Sequence, residues 1–388
     1  MIHLDAAATQ PVRPRILEAV QPLFTEQFGN PASHHEAGEQ AARALEWARG
    51  VAAEALGVRP GRVVFTSGGT ESNALGLHGM ALARPRGRHV LVSALEHPSV
   101  QRSVEQLVRW HGFEAEVVPV DRSGVVAPED VERRLRPDTT LVALMAVNNE
   151  VGTVQPVREV GQLAHGVGAR LHVDAVQAGA WLPLGPLTAV ADTLAVSGHK
   201  LGGLKGAGAL ALGRGVVLEP FLDGGGQESG VRSGTVNVPG AVATALALGM
   251  AHSDAVAAAE GTAPCGAAPG ERLTQRILDG VNAAGLAAEL TGDPVRRVPG
   301  IVSLVFPGMH AEAILLELGR RGVLASSGSA CAAGSSEPSE VLTAMGYEAS
   351  VALGALRLSF SPTLPAQELD RAAKAVVESV VAVGALAR

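Results

Sequence analysis

Residues 170–200 read RLHVDAVQAGAWLPLGPLTAVADTLAVSGHK. Two short apolar runs, Arg170–Val173 and Thr193–Ser197, stand roughly 20 residues apart, the spacing of strands joined by a crossover. Polar residues close each run: Asp174 and then Gln177 after the first, Ser197-Gly198-His199-Lys200 after the second. Outward from this unit the pattern repeats. Arg62–Phe65, His89–Ser93, Glu116–Val120 and Thr140–Val147 come before it, and Ala207–Leu212 comes after. Between several runs, apolar residues recur at helical spacing. Val157, Val160, Gly161 and Ala164 follow Pro156, a residue suited to a helix start. The alternation predicts an α/β fold: a mainly parallel sheet with helices on both faces.

The character of the chain changes near residue 251. Residues 255–270 are rich in Ala, Gly and Pro and read as a helix end followed by a loop. Then come a helix over Arg272–Ala283, a β-like run Ile301–Phe306, a helix over Ala311–Gly319, a short run Leu324–Ser326, a second β-like run Ala355–Ser359 and a last helix over Pro365–Val383. This mixture predicts a smaller α+β domain. The expected division is residues 13–250 as the large domain, with residues 1–12 and 251–388 forming the small one.

Composition narrows the function. With 388 residues and 47% hydrophobic content the chain can bury a sizeable core. Its net charge of -7 and lack of basic runs argue against direct nucleic-acid binding. No apolar stretch reaches the roughly 18 residues of a membrane helix, and no basic-then-apolar leader opens the sequence. Two cysteines cannot build a disulfide framework or a four-cysteine metal site. The expected setting is therefore the cytoplasm, without a metal. Of 31 Lys and Arg residues, only Lys200, Lys205 and Lys374 are lysines. None stands in a Gly-Lys-Ser/Thr context, which excludes a P-loop.

Ligands of open parallel sheets bind beyond the carboxyl ends of the strands, so the residues there are the candidates. Ser67-Gly68-Gly69-Thr70 joins a strand to a helix start, where backbone N–H groups and the helix dipole suit an anion; the plainer reading is a capped turn. Asp174 ends an apolar strand, where a carboxylate needs a partner such as a protonated ring nitrogen, or else serves as a helix cap. Lys200 is a lysine that could form a Schiff base if buried, or a surface lysine otherwise. His97, before Pro98, could stack on a ring and move protons, or be structural. Arg357, inside an apolar run, must be paired, either with a substrate carboxylate or in a structural ion pair. Cys331 lies in Ser326-Ser327-Gly328-Ser329-Ala330-Cys331-Ala332-Ala333-Gly334, whose small residues predict an exposed, mobile loop. That makes it a candidate nucleophile, whereas Cys265 has no neighbouring motif and reads as incidental.

Taken together, these stretches resemble the cysteine desulfurases of the NifS/IscS-like branch of the class V aminotransferase family. The resemblance is carried by Leu4-Asp5-Ala6-Ala7-Ala8-Thr9, Gly29-Asn30-Pro31-Ala32-Ser33, Phe65–Asn73, Glu96-His97, Val147-Asn148-Asn149-Glu150-Val151-Gly152, His172–Gln177, Ser197–Lys200, Arg232-Ser233-Gly234-Thr235 and Ser326–Cys331, in the family's order. It implies a fold-type I enzyme dependent on pyridoxal 5'-phosphate (PLP), working as a homodimer on L-cysteine. By motif, Lys200 would bond the cofactor and His97 would stack on its ring as acid and base. Asp174 would bind the ring nitrogen and Gln177 the ring hydroxyl. Thr70, Ser197 and His199, with the Gly69 backbone, would hold the phosphate, and Thr235 would reach the phosphate of the partner subunit. Asn149 and Arg357 would hold the substrate carboxylate, with Asn149 also near the ring. Cys331 would take the sulfur as a persulfide and pass it to an acceptor such as an iron–sulfur scaffold or a tRNA-thiolation protein.

Four departures stand out, one of them the loop Ala332-Ala333-Gly334-Ser335-Ser336 after Cys331, which reads as more flexible than the family's. Leu201-Gly202-Gly203-Leu204-Lys205 follows the lysine where the family more often has an aromatic or Pro-containing turn. Residues 255–270 replace a more charged helix, and the tail after Ser359 has no recognisable scaffold-docking end. A selenocysteine lyase or another class V PLP enzyme is the alternative within the family. A non-catalytic protein of the same fold is opposed by the intact Lys200, His97 and Asp174. A nicotinamide dehydrogenase is opposed by the lack of an early strand followed by G-x-G-x-x-G.

Overall fold

The computed structural model describes residues 1–259, 268–328 and 337–386. Its strands, in chain order, are β1 (Ile2–His3), β2 (Val63–Thr66), β3 (His89–Ser93), β4 (Glu114–Val118), β5 (Thr139–Met145), β6 (Arg170–Asp174), β7 (Thr193–Ser197), β8 (Gly208–Leu212), β9 (Glu289–Leu290), β10 (Ile301–Val305), β11 (Val323–Leu324), β12 (Ser326–Ser327) and β13 (Ala355–Ser359). Seven of them form one sheet in the order β2-β8-β7-β6-β5-β3-β4. The β4-β3-β5-β6-β7 portion is parallel, while β8 runs antiparallel between β7 and β2. The carboxyl ends of β2, β3, β5, β6 and β7 therefore lie along one edge.

Period-two alternation explains why the strands are almost wholly apolar. Along β5, Val142 and Leu144 join the core on one face, while Leu141 and Ala143 join the core on the other. Leu194 and Val196 of β7 likewise part company with Ala195. The helices Glu36–Leu56 and Val238–Ala259 contribute to the first core, and Gly69–Ala83 and Pro98–His111 to the second. A sheet covered on both faces leaves little room for polar residues before its strands end, and those it holds, such as Thr140 and His172, are hydrogen-bonded.

The second sheet, β12-β13-β10-β9, is antiparallel. Leu356 and Leu358 of β13, with Val302 and Leu304 of β10, pack on the helices Ala268–Ala283, Ala311–Arg320 and Ala366–Leu386. Arg357 therefore falls on the opposite face, away from that core. The chain's first residues join this part: β1 pairs in parallel with β11, and Asp5 bridges to Ser359.

Most expected elements are present, with shifted ends. The third run is displaced toward the N-terminus, to Glu114–Val118, because its register is set by pairing with β3 rather than by its apolar content. The composition change at 251 falls inside the helix Val238–Ala259, and the following helix begins at Ala268 rather than Arg272. The expected loop over 260–267 lies outside the described residues. The run expected at Leu324–Ser326 is two short bridging pieces, β11 and β12, which pair with different strands.

Candidate active site

The five strand ends converge on a cavity of about 330 Å³, within the range of small-molecule sites. Its walls include Gly69, Thr70, His97, Asn149, Asp174, Gln177, Ser197, His199, Lys200 and Arg357.

β2 delivers the anion-type corner. Thr66 is buried, and its hydroxyl meets the Ser72 hydroxyl at 2.7 Å. The chain then turns through Gly68 at φ +149°, a conformation that side chains rarely adopt, and enters the helix Gly69–Ala83. A Cβ on Gly69 would come within 2.7 Å of Val176 Cγ2, so only glycine lets this helix start sit against the β6 end. Ser197 Oγ, at the end of β7, is buried and has no hydrogen-bond partner in the structure. A bare helix N-terminus beside an unpartnered hydroxyl is suited to an anion, and a phosphate fits this donor set.

Asp174 is 6% exposed, and both of its carboxylate oxygens accept hydrogen bonds. Val176 N donates to Oδ1 at 2.9 Å, and Asn73 Nδ2 donates to Oδ2 at 2.7 Å. Asn73 Nδ2 also lies 2.8 Å from Ser99 Oγ, which lies 2.8 Å from His97 Nδ1. On its other side Asn73 Oδ1 meets His172 Nε2 at 3.0 Å, and His172 Nδ1 meets Thr193 Oγ1 at 2.8 Å. Burial pushes the His172 pKa down to about 3, so this ring is neutral and acts as an orienting group. The network fixes the direction of Asp174 and links it to His97.

His97 caps the helix Pro98–His111, with Ser99 N donating to Nδ1 at 3.1 Å. An accepting Nδ1 places the proton of the neutral ring on Nε2. Burial lowers the His97 pKa; Asp174 opposes that shift and Lys200 adds to it. His199 is pushed to about 4, first by burial and then by Lys200 and Lys205, and its Nδ1 lies 3.1 Å from Thr9 Oγ1. Both rings are neutral near pH 7.

Lys200 sits on the single turn Gly198–Leu201 after β7. Its Nζ donates to the carbonyls of Ala7 and Ala8, at 2.5 and 2.8 Å. Gln177 Nε2 donates to the same Ala7 carbonyl at 2.8 Å. Arg357 is 1% exposed; Nη1 donates to the Asn149 carbonyl and Nη2 to Asp5 Oδ1, both at 3.0 Å, while Nε has no partner.

Two sequence candidates are not on these walls. Thr235 is exposed and does not line the cavity. Cys331, like Cys265, lies outside the described residues. Conversely, sequence reasoning gave no individual role to Asn73, His172, Asp5 or Glu96. Asn73 and His172 stood inside quoted motifs, and a polar side chain in an apolar strand was the available signal for His172. Glu96 is buried and accepts from Ser93 Oγ at 2.6 Å and Met145 N at 2.7 Å; burial, with Asp174 adding to it, pushes its pKa up to about 8. No group of three or more His, Cys, Asp or Glu among the described residues could hold a metal ion.

Comparison with known proteins agrees with this geometry. A family model described as aminotransferase class-V matches residues 2–372. The chain is 39% identical over 380 residues to the cysteine desulfurase IscS of Methanosarcina thermophila, covering 98% of this chain and 92% of that protein. It is 41% identical over 381 residues to the putative cysteine desulfurase IscS 1 of Bacillus subtilis, covering 98% of each. A solved structure named NifS-like protein superposes with a TM-score of 0.87 at 34% identity, covering 97% of this chain and 98% of that one.

Proposed function

This chain belongs to the class V aminotransferase family, and from that premise we propose that it is a PLP-dependent cysteine desulfurase. It converts L-cysteine to L-alanine and passes the sulfur to its own Cys331 and then to an acceptor. The observation that carries this reading is the meeting of Lys200, Asp174, His97 and Arg357 around one cavity.

The residues present fit the cofactor. Thr70, Ser197, His199 and the Gly69 backbone would hold its phosphate. Asp174 would hold the ring nitrogen, Gln177 the ring oxygen and Lys200 the aldehyde carbon, with His97 and Asn149 beside the ring. When bound, PLP supplies an electron sink that stabilises negative charge at the substrate Cα. The chain's own work is positioning and proton handling. Arg357 forks onto the substrate carboxylate, with Asn149 beside it. Lys200 Nζ, the amine closest to hand, takes and returns the Cα proton, and the neutral His97 ring carries a second proton. Cys331 as thiolate forms a bond to the substrate sulfur while the C–S bond breaks. The electron pair stays on carbon, which accepts a proton and leaves as alanine.

We also read the chain as two domains, residues 13–250 and residues 1–12 with 251–388. The pairing of β1 with β11 and of Asp5 with Ser359 supports grouping the first residues with the last. A homodimer is supported by Thr235, exposed and away from the cavity of its own chain. No helix among the described residues is long and apolar enough to cross a membrane; a cytoplasmic setting and an iron–sulfur scaffold or tRNA-thiolation protein as acceptor complete the proposal.

Mass spectrometry after incubation with L-cysteine tests it. One added sulfur on Cys331, absent in Lys200→Ala, is the expected result. Sulfur release undiminished in Cys331→Ala would refute the desulfurase reading.

A further inference from the structure

The turn that opens the chain touches both ends of the cavity. Asp5 is fixed at its start: it bridges to Ser359, Ala6 N donates to the Ser359 carbonyl at 2.9 Å, and Ala7 N donates to Ser359 Oγ at 2.9 Å. Ala8 N and Thr9 N close the turn onto the Asp5 carbonyl. From this turn the Asp5 carboxylate accepts from Arg357 Nη2, while the Ala7 and Ala8 carbonyls accept from Lys200 Nζ. Four consecutive residues thus hold a guanidinium from the small sheet and an amine from the large one.

An α-amino acid carries its carboxylate one carbon from the amino group that reacts, so a site that selects it must hold a guanidinium in a fixed direction beside the reacting centre. We propose that Asp5 is a positioning residue for substrate recognition: by pairing with Arg357 it aims the guanidinium at the substrate carboxylate. The inference rests on the assignment of Arg357 to the substrate carboxylate.

The chemistry of Arg357 favours this role. A buried guanidinium left without its carboxylate partner keeps a charge it cannot hydrate, and it swings toward another acceptor. The nearby Glu150 carboxyl, which feels the charge of Arg357, is already engaged by Ser339 Oγ at 2.5 Å. Held instead between Asp5 and the Asn149 carbonyl, Arg357 keeps Nε without a protein partner. Arg357 lines the cavity, and Nη1 and Nη2 each carry two hydrogens of which one is spent on the protein, so N–H groups remain for a ligand carboxylate.

The test compares holoenzymes carrying Asp5→Ala, Asp5→Glu and Arg357→Ala. L-cysteine turnover is measured, together with competitive inhibition by L-alanine, which has the carboxylate, and by cysteamine, which lacks it. For Asp5→Ala the expected result is a KM for cysteine raised about tenfold with kcat within threefold. The inhibition constant of L-alanine should rise in parallel, and that of cysteamine should stay within twofold. Asp5→Glu should recover part of the loss, and Asp5→Ala placed on Arg357→Ala should add nothing. The visible absorbance of lysine-bound cofactor reports that each variant is folded and loaded.

An unchanged KM in Asp5→Ala, alongside a raised KM in Arg357→Ala, overturns the role of Asp5 alone. Equal losses for L-alanine and cysteamine in Asp5→Ala also overturn it, because they mark general damage to the site. Unaltered discrimination in Arg357→Ala instead overturns the carboxylate assignment.

Discussion

Glu96 stands next to His97 yet does a different task. It is 3% exposed, its Oε1 receives Ser93 Oγ and Met145 N, and its pKa rises to about 8. Burial is the larger cause and the like charge of Asp174 the smaller. The neutral form of Glu96 spares the site a second buried carboxylate charge beside Asp174. The consequence for stability has a definite sign. The unfolded carboxyl loses its proton near its ordinary 4.5, whereas the folded one keeps it to about 8. The native state therefore binds more protons across that window, and this group's contribution to stability falls as pH rises through it. Glu96→Gln, which cannot ionise, should gain on the wild type steadily between pH 5.5 and 8 and level off above. Urea unfolding midpoints at those pH values measure the gap; a gap that does not widen would place the Glu96 proton elsewhere.

At the scale of elements, the site depends on how closely β8 approaches the β2 turn. Gly208, the first residue of β8, pairs with both Thr66 and Ser197. A Cβ there would lie 2.7 Å from Gly68 Cα and 2.7 Å from the Val196 carbonyl oxygen, all backbone atoms that cannot yield as a flexible side chain would. Gly208→Ala should cost roughly 1–3 kcal/mol of stability from overpacking. It should also weaken PLP retention, because it pushes the Gly68-Gly69 turn away from Ser197. Equilibrium unfolding and a PLP titration of the apoenzyme read the two effects; wild-type PLP affinity would separate β8 from the cradle. This approach was not legible in the sequence, where Gly208 is one small residue in the run Ala207–Leu212. The strand ends were legible because a sheet buried on both faces carries most residues of its strands as apolar ones, which made Asp174, Ser197 and Lys200 conspicuous beyond them. Arg357 was legible as a buried charge needing a partner, but not which one. Its carboxylate, Asp5, lies 352 positions away and meets it only through the bridge to Ser359. Asn73 was hidden for the same reason: it reads as part of a helix start, and its contact with Asp174 spans 101 positions.

At the scale of the whole molecule, one assigned residue has no place in its own chain's cavity. The segment carrying Thr235 is tied to the β2 turn, since Arg232 pairs with Glu71, which in turn accepts from Ser67 N at 2.7 Å. That anchoring brings the segment near the helix start Gly69–Ala83 but leaves Thr235 exposed and off the cavity wall. In a two-fold dimer, each surface that gives a residue to the partner receives the same residue back. Thr235→Val should then lower PLP affinity about tenfold, the loss expected when one hydrogen bond to a charged phosphate is removed. Mixing the defects tells the two geometries apart. In a heterodimer of one Thr235→Val subunit and one Lys200→Ala subunit, a trans arrangement leaves one site with both native residues. That site should bind PLP with wild-type affinity and run at about half the wild-type dimer's rate. A cis arrangement pairs the native Lys200 only with the valine substitution and leaves no intact site. Differentially tagged, co-expressed and doubly purified heterodimers make the comparison direct. Affinity no better than the Thr235→Val homodimer would assign Thr235 to its own chain and remove the main support for a shared site.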